Sequence, residues 1–307
     1  MRVAALDLGT NTTRLLVADV VDGRVDEVHR ETRITRLGEG VDARRRLLPL
    51  PIARVRNTLS DYRRTLEQLG AERALLVATS AVRDAENGEA FLGEIEWSYG
   101  FTTQLVSGDE EAQLTMRGVQ PQPDTLVLDI GGGSTELIVD EFHVSIDIGS
   151  VRFTERFVHT DPPDPGELDE AARAARDAIA AHAPVRPANA VGVAGTVTTL
   201  AALDLDLEHY DRERVHGHRL SRDGARAQLA RLAALPLAER RALPALDPER
   251  APVIVAGAVI LVAALDQFGL DAIEVSEHDI LDGIALAAAE LPAPEEGAAP
   301  PGAYTCC

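Results

Sequence analysis

The stretch Asp7-Leu-Gly-Thr-Asn-Thr-Thr-Arg-Leu-Leu-Val17 recurs without a gap as Asp129-Ile-Gly-Gly-Gly-Ser-Thr-Glu-Leu-Ile-Val139. Asp, Gly, Thr, Leu and Val return in register, and Thr12 faces Ser134. Shared strand periodicity would account for the apolar matches but not for a common polar turn between them. Each copy reads as apolar strand, tight turn, apolar strand. The chain is therefore expected to consist of two related halves, each opening on such a unit, with both turns facing a cleft between them.

Outward from the first copy, residues 3–21 read as strand, turn and strand, and 24–37 continue as a third strand. Helical spacing follows over 51–69, 86–97 and 109–118, alternating with strand patterns at 74–78 and 103–106, which is the signature of an α/β domain. Gln120-Pro-Gln-Pro-Asp124 interrupts it, because clustered prolines continue neither a helix nor a central strand. Beyond that break, strands are expected at 125–130, 135–139, 143–148, 190–194 and 272–275. Helices are expected at 165–183, 196–203, 223–235, 253–268 and 280–291. The predicted organisation is an α/β domain over 1–123, a second over 124–292, and a Pro/Gly/Ala-rich tail over 293–307 without stable structure.

A chain of 307 residues, 45% of them hydrophobic, is long enough for two domains with separate cores. The best candidate for a membrane span, 253–265, is too short and reads as a buried helix, so no membrane association is expected. The N-terminus enters a strand pattern at once, without the basic and apolar segments of a signal peptide, and a cytoplasmic location is expected. Cys306 and Cys307, the only cysteines, cannot build a disulfide framework or a multi-cysteine metal site. A formal charge of −20 disfavours non-specific nucleic-acid binding, so an anionic substrate has to be held locally. All the basic residues are arginine, a matter of codon usage that also suits multidentate phosphate binding.

Gly131, Gly132 and Gly133 with Ser134 and Thr135 make a turn whose backbone amides can approach phosphate oxygens, although glycines alone would equally make a tight hairpin. Asp129 closes one strand and Glu136 begins the next, so a hairpin brings both carboxylates to one mouth as ligands for a hard cation such as magnesium. In the first copy Arg14 stands where Glu136 does, to meet phosphate or to pair with an acid. Glu110 and Glu111 open a helix, where carboxylates are commonplace on a solvated face, but a place just after a strand also allows a general base. Thr79-Ser-Ala-Val-Arg83-Asp84, Gly149-Ser-Val-Arg152 and Gly195-Thr196 are further polar turns at strand ends, where open α/β sheets take ligands. His216-Gly-His218 lacks an accompanying carboxylate pattern and reads as a loop rather than a zinc site. There is no serine nucleophile elbow, and without lysine there is no Walker motif.

With ALDLGTNTTRLLV, ATSAVRDAEN, SGDEEAQL, LVLDIGGGSTELIV, IGSVRFTE, VAGTVTTLAAL and SEHDILDGIAL in order, the chain resembles the exopolyphosphatase and guanosine-pentaphosphate phosphohydrolase (Ppx/GppA) family to about residue 290. The resemblance implies two actin-like (ribonuclease H-like) α/β domains with an interdomain active-site cleft. It makes Glu111 the base that activates water and Asp129 and Glu136 the acids that organise magnesium, with Gly131 close through its backbone and Asp7 near the metal or its waters. Gly132, Gly133, Ser134 and Thr135 match the phosphate loop, and Asn11, Thr12, Arg83 and Ser150 are further phosphate contacts. Manganese in place of magnesium, a monovalent cation and a homodimer are also implied.

The chain is similar to the short, two-domain branch, so a preference for short polyphosphate is expected. Guanosine pentaphosphate (pppGpp) presents the same terminal phosphoanhydride and is the alternative substrate. A sugar or carboxylate kinase of the same superfamily is disfavoured by the Glu111 segment, which points to water as acceptor. A catalytically silent phosphate or nucleotide sensor is the reading of a different class, disfavoured by the retained acids.

Overall fold

Residues 3–8 and 15–18 are buried without a break, the mark of strands covered on both faces. The computed structural model describes residues 1–182 and 187–292. It divides into two units, the first comprising residues 1–120 and 278–292, the second residues 121–277.

The sheet of the first unit contains β1 (Arg2–Leu8), β2 (Thr12–Val21), β3 (Arg24–Ile34), β4 (Arg73–Ala78) and β5 (Thr102–Leu105), in the order β3-β2-β1-β4-β5. The first three form an antiparallel meander, and β4 and β5 run parallel to β1. Alternation along the strands sorts the side chains to two faces. Ala4, Leu6, Leu8, Leu15 and Val17 pack with Val55, Leu59 and Tyr62 of helix Pro49–Gln68 and with Phe91 and Ile95 of helix Gly88–Tyr99. Val3, Ala5, Leu16, Ala18, Leu75 and Val77 are covered instead by Leu281, Ile284, Ala285 and Ala288 of helix Ile280–Glu290.

That last helix differs from the expected organisation, which placed it in the second domain. Its apolar face completes the first unit, and the two glycines at its crossing with helix Gly108–Val119 explain the fit. A Cβ on Gly283 would overlap the Leu114 carbonyl, and one on Gly118 would overlap the Asp279 carbonyl. The break expected between 123 and 124 falls between Gln120 and Pro121. Gln120 caps helix Gly108–Val119 in the left-handed region (φ 48°), and Pro121 has no amide to continue it. The tail expected at 293–307 lies outside the described residues.

The second unit carries β6 (Thr125–Ile130), β7 (Thr135–Val139), β8 (Phe142–Ile146), β9 (Asn189–Val193), β10 (Arg219–Ser221) and β11 (Ala272–Val275), in the order β10-β11-β9-β6-β7-β8. Taken from the hairpin side, β8-β7-β6-β9-β11 repeats the order of the first sheet, with β10 added antiparallel at the edge. The repeated sequence thus belongs to a repeated α/β topology. Helix Ile254–Phe268 is buried on nearly every side at the centre of this unit's core, with Ala171, Ala175 and Ile179 of helix Pro165–His182 in the same cluster. Among the described residues no helix is long and apolar enough to cross a membrane.

Candidate active site

Both duplicated turns are built by one hydrogen-bond plan. The Gly9 amide donates to the Thr12 carbonyl at 3.0 Å, and the Gly131 amide donates to the Ser134 carbonyl at 3.0 Å. The chain leaving the third strand of each meander then feeds donors into the turn. In the first unit the Asn11 carbonyl accepts from the Thr35 and Arg36 amides, and the Thr10 carbonyl from Gly38. In the second, the Gly131 carbonyl accepts from the Ser150 amide at 2.9 Å and hydroxyl at 3.2 Å, and the Gly132 carbonyl from the Val151 and Arg152 amides. The buried threonine of each copy makes the equivalent tie: Thr13 Oγ1 meets Thr35 Oγ1 at 2.9 Å, and Thr135 Oγ1 donates to the Ile148 carbonyl at 2.6 Å.

These bonds settle where the glycine turn points. A trans peptide holds its C=O and the following N–H in opposite directions. The carbonyls of Gly131, Gly132 and Gly133 are drawn to the segment Gly149–Arg152, so the amides of Gly132, Gly133 and Ser134 are turned away from it. Among the described residues none of these three amides donates to a protein acceptor. A side chain at 149 would overlap the Gly132 carbonyl, which is why glycine stands there.

The two hairpins diverge at the pair beyond the turn. Asp7 lies opposite Arg14 in the β1–β2 register, and Asp129 lies opposite Glu136 in the β6–β7 register. Arg14 reaches Asp7 Oδ2 through Nε and Nη2, each at 2.7 Å, and bridges through Nη1 to Asp279, which caps helix Ile280–Glu290. Burial pushes the Asp7 carboxyl above its ordinary value; Arg14 draws it back and the Asp279 charge adds to the rise. Of the two roles open to Arg14, it takes the acid.

In the second hairpin the arginine gives way to a second carboxylate. Asp129 is 7% exposed and Glu136 1% exposed, and Glu136 Oε1 accepts from Ser145 Oγ at 2.7 Å. Directly opposed residues bring their Cβ atoms to about 5 Å. Two buried carboxylates on directly opposed residues are hard oxygen donors of the type magnesium takes, with remaining positions left to water or phosphate. The Gly131 carbonyl, at the mouth of this hairpin, accepts two hydrogen bonds from Ser150.

At the ends of β4 and β5, the first unit places Arg83 and Glu111 together. Arg83 Nη1 donates to the Val106 carbonyl at 2.8 Å and to Glu111 Oε2 at 3.1 Å. Glu111 is 8% exposed, whereas Glu110 turns outward to close a capping box with Ser107. Arg83 therefore meets the expected base. The buried Thr10 and Ser80 hydroxyls join the first turn to helix Ser80–Arg83 at 2.8 Å.

The remaining expected contacts divide. Among the described residues the buried Asn11 Nδ2 has no hydrogen-bond partner, a donor still to be satisfied, and Thr12 is half-buried at the start of β2. Ser134 is buried within the glycine turn. Thr135 and Ser150 spend their hydroxyls on backbone carbonyls and hold the turn. His216 and His218 serve the loop: the first accepts the Glu277 amide and the second pairs with Asp204. Among the described residues no three of His, Cys, Asp and Glu gather as a metal-binding group.

One residue went unassigned from sequence: Arg152, 7% exposed, whose Nε donates to the Gly133 carbonyl at 2.7 Å. Its only signal was its place three residues past Gly149 in a polar strand-end turn.

A model of the Ppx/GppA phosphatase family matches residues 16–290. Exopolyphosphatase 2 of Mycobacterium tuberculosis is 41% identical over 314 residues, which cover 94% of this chain and 98% of that protein. A crystal structure of an exopolyphosphatase-like protein superposes with a TM-score of 0.88 at 34% identity, covering 93% of this chain and 98% of its own. The Aquifex aeolicus Ppx/GppA family member does so with a TM-score of 0.79 at 29% identity, covering 94% and 98%. With the duplicated hairpins, the glycine turn and the matching span all in one chain, this protein belongs to the Ppx/GppA phosphatase family.

Proposed function

We propose that this protein is an exopolyphosphatase that removes the terminal phosphate of inorganic polyphosphate with the help of magnesium. The observation that carries the reading is the glycine turn, which directs the amides of Gly132, Gly133 and Ser134 away from the donors that hold its carbonyls. Such preorganised donors stabilise charge on phosphoryl oxygens without reorganising during the reaction. The name of the Mycobacterium tuberculosis relative supports polyphosphate as the substrate.

In this reading the turn grips the terminal phosphate. Glu111, its carboxylate aimed by Arg83, takes the proton of the attacking water, and the released group is orthophosphate. Asp129 and Glu136 would hold the magnesium, which supplies positive charge to the phosphoryl oxygens when bound. Asp7, paired with Arg14, keeps the first hairpin in register and is left out of this donor set.

The test offers the purified protein, stripped of metal and then given magnesium, polyphosphates of defined length, guanosine pentaphosphate and ATP in parallel. Magnesium-dependent orthophosphate release from polyphosphate is expected. Absence of that release, or a marked preference for guanosine pentaphosphate, would remove polyphosphate as the substrate.

A further inference from the structure

The three carbonyls of the glycine turn are not all held by the same kind of donor. The Gly131 carbonyl is held by the Ser150 amide, with its hydroxyl in addition. The Gly132 carbonyl is held by the Val151 and Arg152 amides at 2.8 and 3.1 Å. For the Gly133 carbonyl the bond is from a side chain, Arg152 Nε at 2.7 Å. The peptide plane that carries it also carries the Ser134 amide, so whatever orients the one orients the other.

The first copy isolates what is particular about this arrangement. Asn11 occupies the place of Gly133, and its carbonyl accepts from the backbone amides of Thr35 and Arg36. Backbone donors persist whatever the side chain, and asparagine restricts its own dihedrals. In the second copy glycine leaves the plane free to turn and a guanidinium replaces the backbone donors. The planar, permanently charged donor on a buried stem suits that task.

We propose that Arg152 is a positioning residue for phosphate: by holding the Gly133 carbonyl it aims the Ser134 amide at the bound phosphoryl group. Arg152 itself touches no substrate in this account. The inference rests on the assignment of the glycine turn as the phosphate grip, and it goes beyond that assignment by naming the side chain that makes the third donor effective. Removing one such donor outright costs about 10²–10³-fold in turnover, so letting it swing is expected to cost roughly tenfold or more.

The experiment uses the full chain and inorganic phosphate as probe, with two variants. Arg152→Met removes the donor and keeps much of the stem volume, and Arg152→Lys returns a donor on a shorter reach. In ¹⁵N-labelled wild-type protein, added phosphate is expected to shift the Gly132, Gly133 and Ser134 amide resonances. Arg152→Met should weaken phosphate binding about tenfold and lose the Ser134 shift first, with Arg152→Lys between the two. With polyphosphate the same order should appear mainly in kcat, with a smaller change in KM.

A purely structural role would lower thermal stability and leave the phosphate affinity of the folded protein unchanged, and that result in either variant overturns the proposal. If Arg152→Met does not fold, Arg152→Lys with wild-type affinity and a wild-type Ser134 shift overturns it equally. The two readings fail separately: wild-type protein that binds phosphate at these amides but releases none from polyphosphate contradicts the substrate assignment and leaves the positioning role standing.

Discussion

Glu110 accepts hydrogen bonds from the Ser107 amide and hydroxyl, while Glu111, one residue on, turns inward to Arg83. The Ser107 amide, with its hydroxyl, holds the Glu110 carboxyl below the usual glutamate range, the mark of a cap. The two neighbouring acids should therefore respond differently to the same change. Glu111→Gln is expected to lower kcat by roughly 10²–10⁴-fold, the usual contribution of a positioned general base, with little change in melting temperature. Glu110→Gln should leave kcat within a few-fold and cost up to about 1 kcal/mol of stability through the weakened capping box. Steady-state phosphate release and thermal melts on both variants check the pair. Equal kinetic losses would mean that the inward turn of Glu111 does not matter to the chemistry.

Helix Ile280–Glu290 is attached to the meander by ion pairs as well as by its apolar face. Asp282 accepts from Arg30 Nη2 at 3.2 Å and meets His278 Nδ1 at 2.9 Å, and it closes a capping box with Asp279. Burial opposes ionisation of Asp282, but His278 and the Arg30 charge outweigh it and hold its carboxyl below the ordinary 3.8. A carboxyl lowered on folding contributes stability above its unfolded value, and the contribution is lost as pH falls through the folded value. Asp282→Asn is expected to cost about 2 kcal/mol at pH 7, the scale of a hydrogen bond to a charged group. The difference between wild type and variant should shrink below pH 3.8, where the native carboxyl takes up its proton. Denaturant melts of both proteins from pH 7 to pH 3 give that difference directly, and a constant gap would mean that the charge of Asp282 contributes nothing.

At the scale of the whole molecule the duplication was legible in residues 7–17 and 129–139, because a polar turn repeated in register survives divergence of the side chains around it. Both sheets accordingly share one strand order. The hairpin reading put Arg14 across from Asp7 but left open whether it meets phosphate or the acid, and the grip of Arg152 on Gly133 depends on a loop closing over 19 residues, which local spacing does not give. The partner of the last helix was hidden for the same reason. Its apolar periodicity says that one face is buried but not against which sheet, and the strands it covers lie more than 200 residues earlier.

That separation has a consequence for how the first unit holds together. Val3, Ala5, Leu16, Ala18, Leu75 and Val77 form a sheet face whose cover, Leu281, Ile284, Ala285 and Ala288, is supplied by the end of the described chain. The first unit's core is therefore incomplete until that helix has been made and docked. Ile284, fully buried against this face, is the side chain on which the cover can be tested without touching the helix cap or the glycine crossing. Ile284→Ala is expected to destabilise the protein by about 2–5 kcal/mol, the transfer cost of the lost atoms plus the cavity they leave. Hydrogen exchange should report the loss first in β1, β2 and β4, whose side chains the helix covers. If those amides keep wild-type protection while the helix alone exchanges faster, the helix is an accessory to a sheet already stable without it.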